Sequence, residues 1–196
     1  MAPSTQGTPL QAIIGLGNPG QEHLLTRHNA GFWFVDALAQ KYGGQFRGHA
    51  RYQGEVSRIK IGSHEITLLK PQTYMNRSGL AVRALVDYMK IPSDQVMVVH
   101  DELDLLIGIS RFKLGGGHGG HNGLRDIITH VGQNFWRLRL GIGHPGDKSQ
   151  VIDYVLQRAS SKEEDMITTS LSAAIEQIPT FLDMGAEQAM HLLHSK

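Results

Sequence analysis

The chain has 196 residues, no cysteine, and 19 basic against 18 acidic side chains for a formal net charge of +1. That length suits one domain with its own core. The lack of cysteine excludes a disulfide framework, a thiol nucleophile and sulfur-ligated zinc, and the even charge balance excludes nucleic-acid capture by bulk charge while leaving room for a local basic patch.

In chain order, residues 1–9 read as a disordered lead-in and 10–196 as a single domain. The N-terminus has no basic stretch ahead of a long apolar run, and no window approaches about 18 apolar residues, so the expectation is a cytoplasmic protein without a secretion signal or membrane span. "LQAIIGLG" is a short apolar run ending in a Gly-Asn-Pro-Gly turn, a buried strand. "AGFWFVDALAQKYGG" repeats Phe32, Val35, Ala39 and Tyr42 at helical spacing, with Asn29 as an N-cap and Gly43 as a stop. "VSRIKIGSHEITLLK" alternates about a Gly-Ser turn and predicts a hairpin. "SGLAVRALVDYMK" is an amphipathic helix before Ile91-Pro92, and "QVMVVHDELD" an apolar strand running into acids.

Beyond it, "ISRFKL" predicts a strand, "HNGLRDIITHVG" a helix and "FWRLRLGIG" a strand. The remainder from Ser149 is helical, with Pro179 expected to break or kink it. Strands alternating with helices predict an α/β fold with helices on both faces of a sheet, and the hairpin makes that sheet mixed. In such folds the ligand crevice lies beyond the carboxyl ends of the strands. Asn18, the Tyr-Met-Asn of "TYMN", and His100-Asp101 all stand at such ends.

The candidate chemistry narrows by exclusion. "GLGNPG" has the letters of a dinucleotide fingerprint, yet no helix opens at once and no acid-ended second strand follows, so a turn positioning Asn18 is preferred. The stretch "RFKLGGGHGGHNGL" holds six glycines but lacks the Gly-Lys-Ser/Thr ending of a P-loop, which disfavours nucleotide triphosphate chemistry. His118 and His121 have H-x-x-H spacing and, with Asp101 or His144, offer a metal-site reading, but a glycine loop fixes ligand geometry poorly. No serine stands in a nucleophile elbow, so a hydrolase on this chain would use water. His28, in the loop after the first strand, is a candidate general base, and Asp101 is the natural carboxylate to accept its Nδ1 proton. Arg111 with Lys113, and Arg137 with Arg139, are two apart on strands and share a sheet face, either as a solvated edge or as phosphate contacts.

"GLGNPG…TRHNAGFWFVD", "KPQTYMNRSG", "HDELDL", "GGGHGGHNGLRDI" and "RLRLGIGHPG" together resemble the bacterial peptidyl-tRNA hydrolase family from about residue 10 to the end. The resemblance implies a monomeric single-domain three-layer α/β/α fold around a twisted mixed sheet. It implies cleavage of the ester joining a peptide to the 3′-terminal ribose of tRNA, recycling tRNA from prematurely released peptidyl-tRNA, with no metal or other cofactor. The partner it implies is peptidyl-tRNA, held by its acceptor stem and CCA end.

Carried onto matching positions, His28 would activate water, Asp101 would hold it in its basic form, and Asn18 would help distinguish a blocked from a free α-amino group. Asn76 and Asn122 would bind the substrate carbonyl and terminal nucleotide, with Met75 and Tyr74 lining the pocket. Lys113 and Arg139 would clamp the tRNA 5′-phosphate, with Lys148 a further candidate. His23 stands where the family usually has an aromatic, most often tyrosine, on the tRNA-contacting wall, and it would bring a second imidazole near His28. Leu106-Ile107 replace a usual pair of prolines and predict a looser turn. The other readings are an RNA-binding module without catalysis, or a peptidase or nucleoside-processing enzyme on a related fold.

Overall fold

The computed structural model describes residues 6–195. Seven strands form one mixed sheet: β1 (Ala12–Gly15), β2 (Arg47–His49), β3 (Gly54–Ile61), β4 (His64–Pro71), β5 (Val96–Glu102), β6 (Ser110–Leu114) and β7 (Trp136–Gly141), in the order β2-β3-β4-β1-β5-β7-β6. β4, β1, β5 and β7 run parallel at the centre, while the β3–β4 hairpin and β6 add antiparallel strands on either side. The helices are α1 (Ala30–Lys41), α2 (Ser78–Met89), α3 (Asn122–Val131), α4 (Val151–Val155), α5 (Ser161–Met184) and α6 (Ala186–His194).

The apolar runs lie where both sheet faces are covered. Ile13, Leu68, Met97, Val99, Leu138 and Leu140 pack under α1, α5 and α6 with Phe34, Leu38, Leu171, Ile178 and Phe181. The alternate residues Ala12, Ile14, Leu69, Val96 and Val98 pack under α2 and α3 with Val82, Leu85, Leu124 and Ile127. Successive strand side chains point to opposite faces, so a strand buried on both reads as continuously apolar rather than alternating. This is the three-layer α/β/α arrangement. Its outer edge at β6 is closed by α6, where His194 Nε2 accepts the Phe112 N–H at 3.1 Å, satisfying a donor that the sheet leaves unpaired.

Three details differ from expectation. The lead-in expected over 1–9 falls outside the described residues for 1–5. Downstream, the Thr8 N–H donates to the Phe181 carbonyl at 3.0 Å and its Oγ1 accepts from the Ala186 N–H at 2.8 Å, so the chain is tied down before residue 10. The break expected at Pro179 occurs at Gly185: α5 continues through the proline, with Ile178, Phe181 and Leu182 buried around it, and ends where Gly185 takes a φ of 102°. A proline removes one donor, whereas the left-handed glycine turns the chain itself. The short edge strand β2 has no apolar pattern, since all three of its residues are exposed.

The site depends on how closely α1 approaches the central strands. A Cβ placed on Gly31 would lie 2.4 Å from the Val99 carbonyl oxygen and 2.5 Å from the Leu16 nitrogen, both backbone atoms that cannot swing away. Gly31→Ala is therefore expected to push α1 and the preceding His28 turn outward. Urea denaturation should show a loss of about 1–3 kcal/mol, typical of overpacking, and an unchanged midpoint would refute the close-approach argument.

Candidate active site

The end of β5 delivers Asp101 into the interior at 3% exposure. Facing it is His28, on the 3₁₀ turn Arg27–Asn29 that leads into α1. His28 Nδ1 lies 3.0 and 2.9 Å from the two Asp101 carboxylate oxygens. The turn itself is pinned by Arg27, which donates to the Tyr154 carbonyl at 2.9 Å and to Glu163 Oε2 at 3.2 Å, with its guanidinium 3.9 Å from the Tyr154 ring centre.

Asp101 has a second imidazole partner. His121 Nε2 lies 2.9 Å from Asp101 Oδ1, while its Nδ1 accepts the Gly123 and Leu124 N–H groups at the start of α3. A nitrogen that accepts backbone N–H groups carries no proton, so the His121 proton sits on Nε2 and is donated to Asp101. The carboxylate thus receives one N–H from each of two rings, whose centres are 4.9 Å apart.

Electrostatics follow from this geometry. Burial alone pushes the Asp101 carboxyl up, but the facing imidazoles of His28 and His121 reverse that and hold it well below the usual carboxylate range. For His28, burial lowers the imidazole, and the charge and hydrogen bond of Asp101 outweigh it, leaving His28 raised above 6.5. His100, the residue before Asp101 on β5, is fully buried, and burial above all lowers it to about 3, so it stays neutral. Its Nδ1 donates to the Asp101 carbonyl at 2.9 Å.

Asn18 is oriented by the backbone around it. Its Oδ1 accepts the Met75 N–H at 2.8 Å, and Asn29 clamps its main chain, accepting the Asn18 N–H at 2.8 Å and donating to the Asn18 carbonyl at 3.0 Å. With Oδ1 turned to Met75, the Asn18 NH₂ is the end left for the cleft. Asn29 therefore does not serve α1 as the expected side-chain cap. Holding Asn18 eleven positions away is a role that no local sequence signal carries.

These groups line a cleft of about 690 Å³ together with Tyr74, Met75, Asn76, Glu102, Leu103, Gly119, Gly120 and Asn122. Sequence reasoning missed its fourth wall, Val151, Ile152, Val155 and Leu156 on and just after α4. Their spacing marked a helix, but contacts with distant segments, Arg27 on the Tyr154 carbonyl and the Tyr154 hydroxyl on the Ile142 carbonyl, bring that helix to the cleft.

The basic residues do not share one environment. Lys113 is exposed, and Arg139 is half-buried, its Nε donating to Glu102 at 2.8 Å. Arg137 is instead buried at 2%, its two terminal nitrogens bonded to the Gly116 and Gly117 carbonyls. That corrects its pairing with Arg139 as a phosphate contact: it anchors the glycine loop. Lys148 is exposed in the turn preceding α4, outside the cleft lining. His23 is half-buried, also outside the lining, with Nε2 3.8 Å from Glu22 Oε1, and the imidazole set against His28 is that of His121.

A metal reading through His118 or His144 has no geometric support, because each caps its own loop, accepting the Gly120 and Gly146 N–H respectively at 2.9 Å. Among the described residues, the group whose ligand atoms lie within 4.8 Å of one another is His28, Asp101 and His121. There the imidazole N–H groups already point at the carboxylate that a cation would need.

Comparison with known proteins agrees over nearly the whole length. The family described as peptidyl-tRNA hydrolase matches residues 12–196. A peptidyl-tRNA hydrolase of Neisseria meningitidis is 48% identical over 95% of this chain and 98% of its own, and one of Tolumonas auensis 49% identical over 95% and 96%. The crystal structure of peptidyl-tRNA hydrolase from Acinetobacter baumannii superposes with a TM-score of 0.93 at 45% identity, covering 96% of each chain.

An NMR titration of the ring protons checks the electrostatics. His28 is expected to titrate above 6.5, and in Asp101→Asn below it, because only burial then acts on the ring. A His28 midpoint that does not move in Asp101→Asn would overturn the assignment.

Proposed function

The chain belongs to the peptidyl-tRNA hydrolase family, and from that premise we propose that its cleft hydrolyses the ester between a peptide and the 3′-terminal ribose of tRNA, with His28 as the general base. The observation that carries this reading is the buried His28–Asp101 pair. Nδ1 is committed to the carboxylate, and Nε2, on the opposite edge of a ring lining the cleft, has no protein hydrogen bond among the described residues.

In this mechanism a water donates its proton to Nε2 as its oxygen bonds to the ester carbonyl carbon. The imidazolium formed is stabilised by Asp101, which is ionised and already accepts the Nδ1 proton. The carbonyl becomes a tetrahedral oxyanion, to which amide N–H donors can be directed. As the C–O bond to the ribose breaks, the proton on Nε2 passes to the departing ribose oxygen, giving a peptide acid and free tRNA. An ester has a better leaving group than an amide, so no covalent intermediate is needed.

Asn18 and Asn122 suit the donor role. Asn18 Oδ1 accepts the Met75 N–H, and Asn122 Oδ1 accepts from Arg125 at 3.3 Å, so each turns its NH₂ to the substrate. A blocked α-amino group brings a further carbonyl for the Asn18 NH₂. A free ammonium brings a like-polarity donor instead and leaves that NH₂ unpaired, which discriminates against aminoacyl-tRNA. Asn76 would join in holding the terminal nucleotide, with exposed Tyr74 and buried Met75 as apolar walls.

The tRNA acceptor stem would lie toward Lys113 and Arg139, the latter aimed by Glu102, with Lys148 and His23 at the rim. We read the protein as a monomeric single domain over 10–196 acting in the cytoplasm. A binding module without catalysis would not need the buried histidine–carboxylate pair, whose burial costs stability.

Peptide release from peptidyl-tRNA in the presence of EDTA tests the reading. His28→Ala should lose about 10²–10⁴-fold in rate while retaining tRNA affinity, and normal turnover by that variant would sink the assignment. Complete loss of wild-type activity under EDTA would point to a metal on His28, Asp101 and His121 instead. For the phosphate contacts, Lys113→Ala and Arg139→Ala should each make the slope of log K against log salt shallower by about one. An unchanged slope removes that side chain from the phosphates.

A further inference from the structure

Three large aliphatic side chains stand exposed around one depression beside the cleft: Leu24 at 54%, Leu25 at 43% and Leu156 at 40%. The depression, about 430 Å³, is completed by Gln21, Glu22, Thr26 and Arg158. Leu156 lines both this depression and the main cleft, so the two adjoin at its side chain. Neither Leu24 nor Leu25 belongs to either core cluster.

The backbone beneath them is fixed without their side chains. Thr26 bridges to Arg158, the Arg27 N–H donates to the Gln157 carbonyl at 3.0 Å, and Trp33 Nε1 donates to the Leu24 carbonyl at 2.7 Å. Polar residues at 24 and 25 would serve that backbone equally well and would be better solvated. Leucines gathered around a depression that adjoins the cleft, on a backbone held by its own hydrogen bonds, offer apolar area that a ligand could cover.

We propose that this depression is a peptide subsite, taking an apolar side chain of the substrate's peptide two or three residues from the ester. The inference rests on the reading of the cleft as the ester-cleaving site. The other half of the substrate, a polyanion, does not suit the depression: its one cation, Arg158, is paired with Glu164 at 3.2 Å, and Glu22 adds negative charge. The wall from Val151 to Leu156 is helical over most of its length and spans about 8 Å at roughly 1.5 Å per residue. An extended peptide covers that in two to three residues at roughly 3.3 Å each.

Steady-state kinetics on three substrates tests it: an N-acetylaminoacyl-tRNA too short to reach the depression, and two tripeptidyl-tRNAs differing only in leucine or asparagine at the residue farthest from the ester. The wild type should favour the leucine substrate by about tenfold in kcat/KM, the scale of a modest hydrophobic contact, and mainly through KM. In Leu24→Asn/Leu25→Asn the preference should fall close to unity, each single variant should lower it part of the way, and turnover of the short substrate should be unchanged. A preference that survives in the double variant, or is absent from the wild type, overturns the subsite. Failure of the wild type to cleave even the short substrate overturns the reading of the cleft, and the subsite with it.

Discussion

A single buried carboxylate, Asp101, is the constraint around which the rest of the site is arranged. At 3% exposure it would be costly to keep ionised without partners, and it receives the Nδ1 proton of His28 and the Nε2 proton of His121. Each partner comes from a different layer of the structure: the carboxylate from the central sheet, His28 from the turn entering α1, His121 from the start of α3. The one charge thereby holds three elements together, and it fixes which nitrogen of each ring carries the proton. The same contact raises His28 and keeps the ring in the tautomer that leaves Nε2 for the cleft.

Such a contact is only as accurate as the elements that carry it, and each is secured by something other than the carboxylate. α1 lies against β1 and β5 because Gly31 offers no side chain at the crossing. Arg27 links the His28 turn to α4 and to the first turn of α5, where Glu163 also completes the capping box of Ser160. Arg137 holds the Gly116 and Gly117 carbonyls and the Gly115 N–H donates to the Phe135 carbonyl, so the glycine loop ahead of His121 is anchored at its start while Gly119 and Gly120 are exposed. Arg137, which its spacing offered as a solvated edge or a phosphate contact, is thus bound inside the protein to carbonyl groups.

The cleft is chemically divided in a way that suits a substrate with two unlike halves. Asn18, Asn76 and Asn122 line it with His28, aliphatic residues of α4 line it as well, and the exposed Lys113 and half-buried Arg139 stand outside its lining on the adjacent strands β6 and β7. On the proposed reading, phosphate contacts on one side would position a nucleic acid, apolar area on the other would take a peptide, and the reacting bond would lie where the two meet. Glu102 belongs to both regions, since it lines the cleft and holds Arg139.

Much of this was legible in the chain. Apolar runs ended by glycine and proline marked the central strands, since burial on both faces erases alternation, and the helical spacing of "AGFWFVDALAQK" and "SGLAVRALVDYM" marked the layers above and below. His28, Asp101 and Asn18 stood out because strand ends in α/β sheets gather polar groups. By itself the sequence determined the fold class, the family and the residue types that the chemistry requires, because these follow from local periodicity and motif. Only the tertiary structure decided that Asp101 has two imidazole partners, that Asn29 clamps Asn18 rather than capping α1, that Arg137 is buried while Arg139 is not, and that α4 closes the cleft. Those are contacts between segments far apart in the chain, and neither side chain type nor spacing records which distant backbone group a hydrogen bond will find.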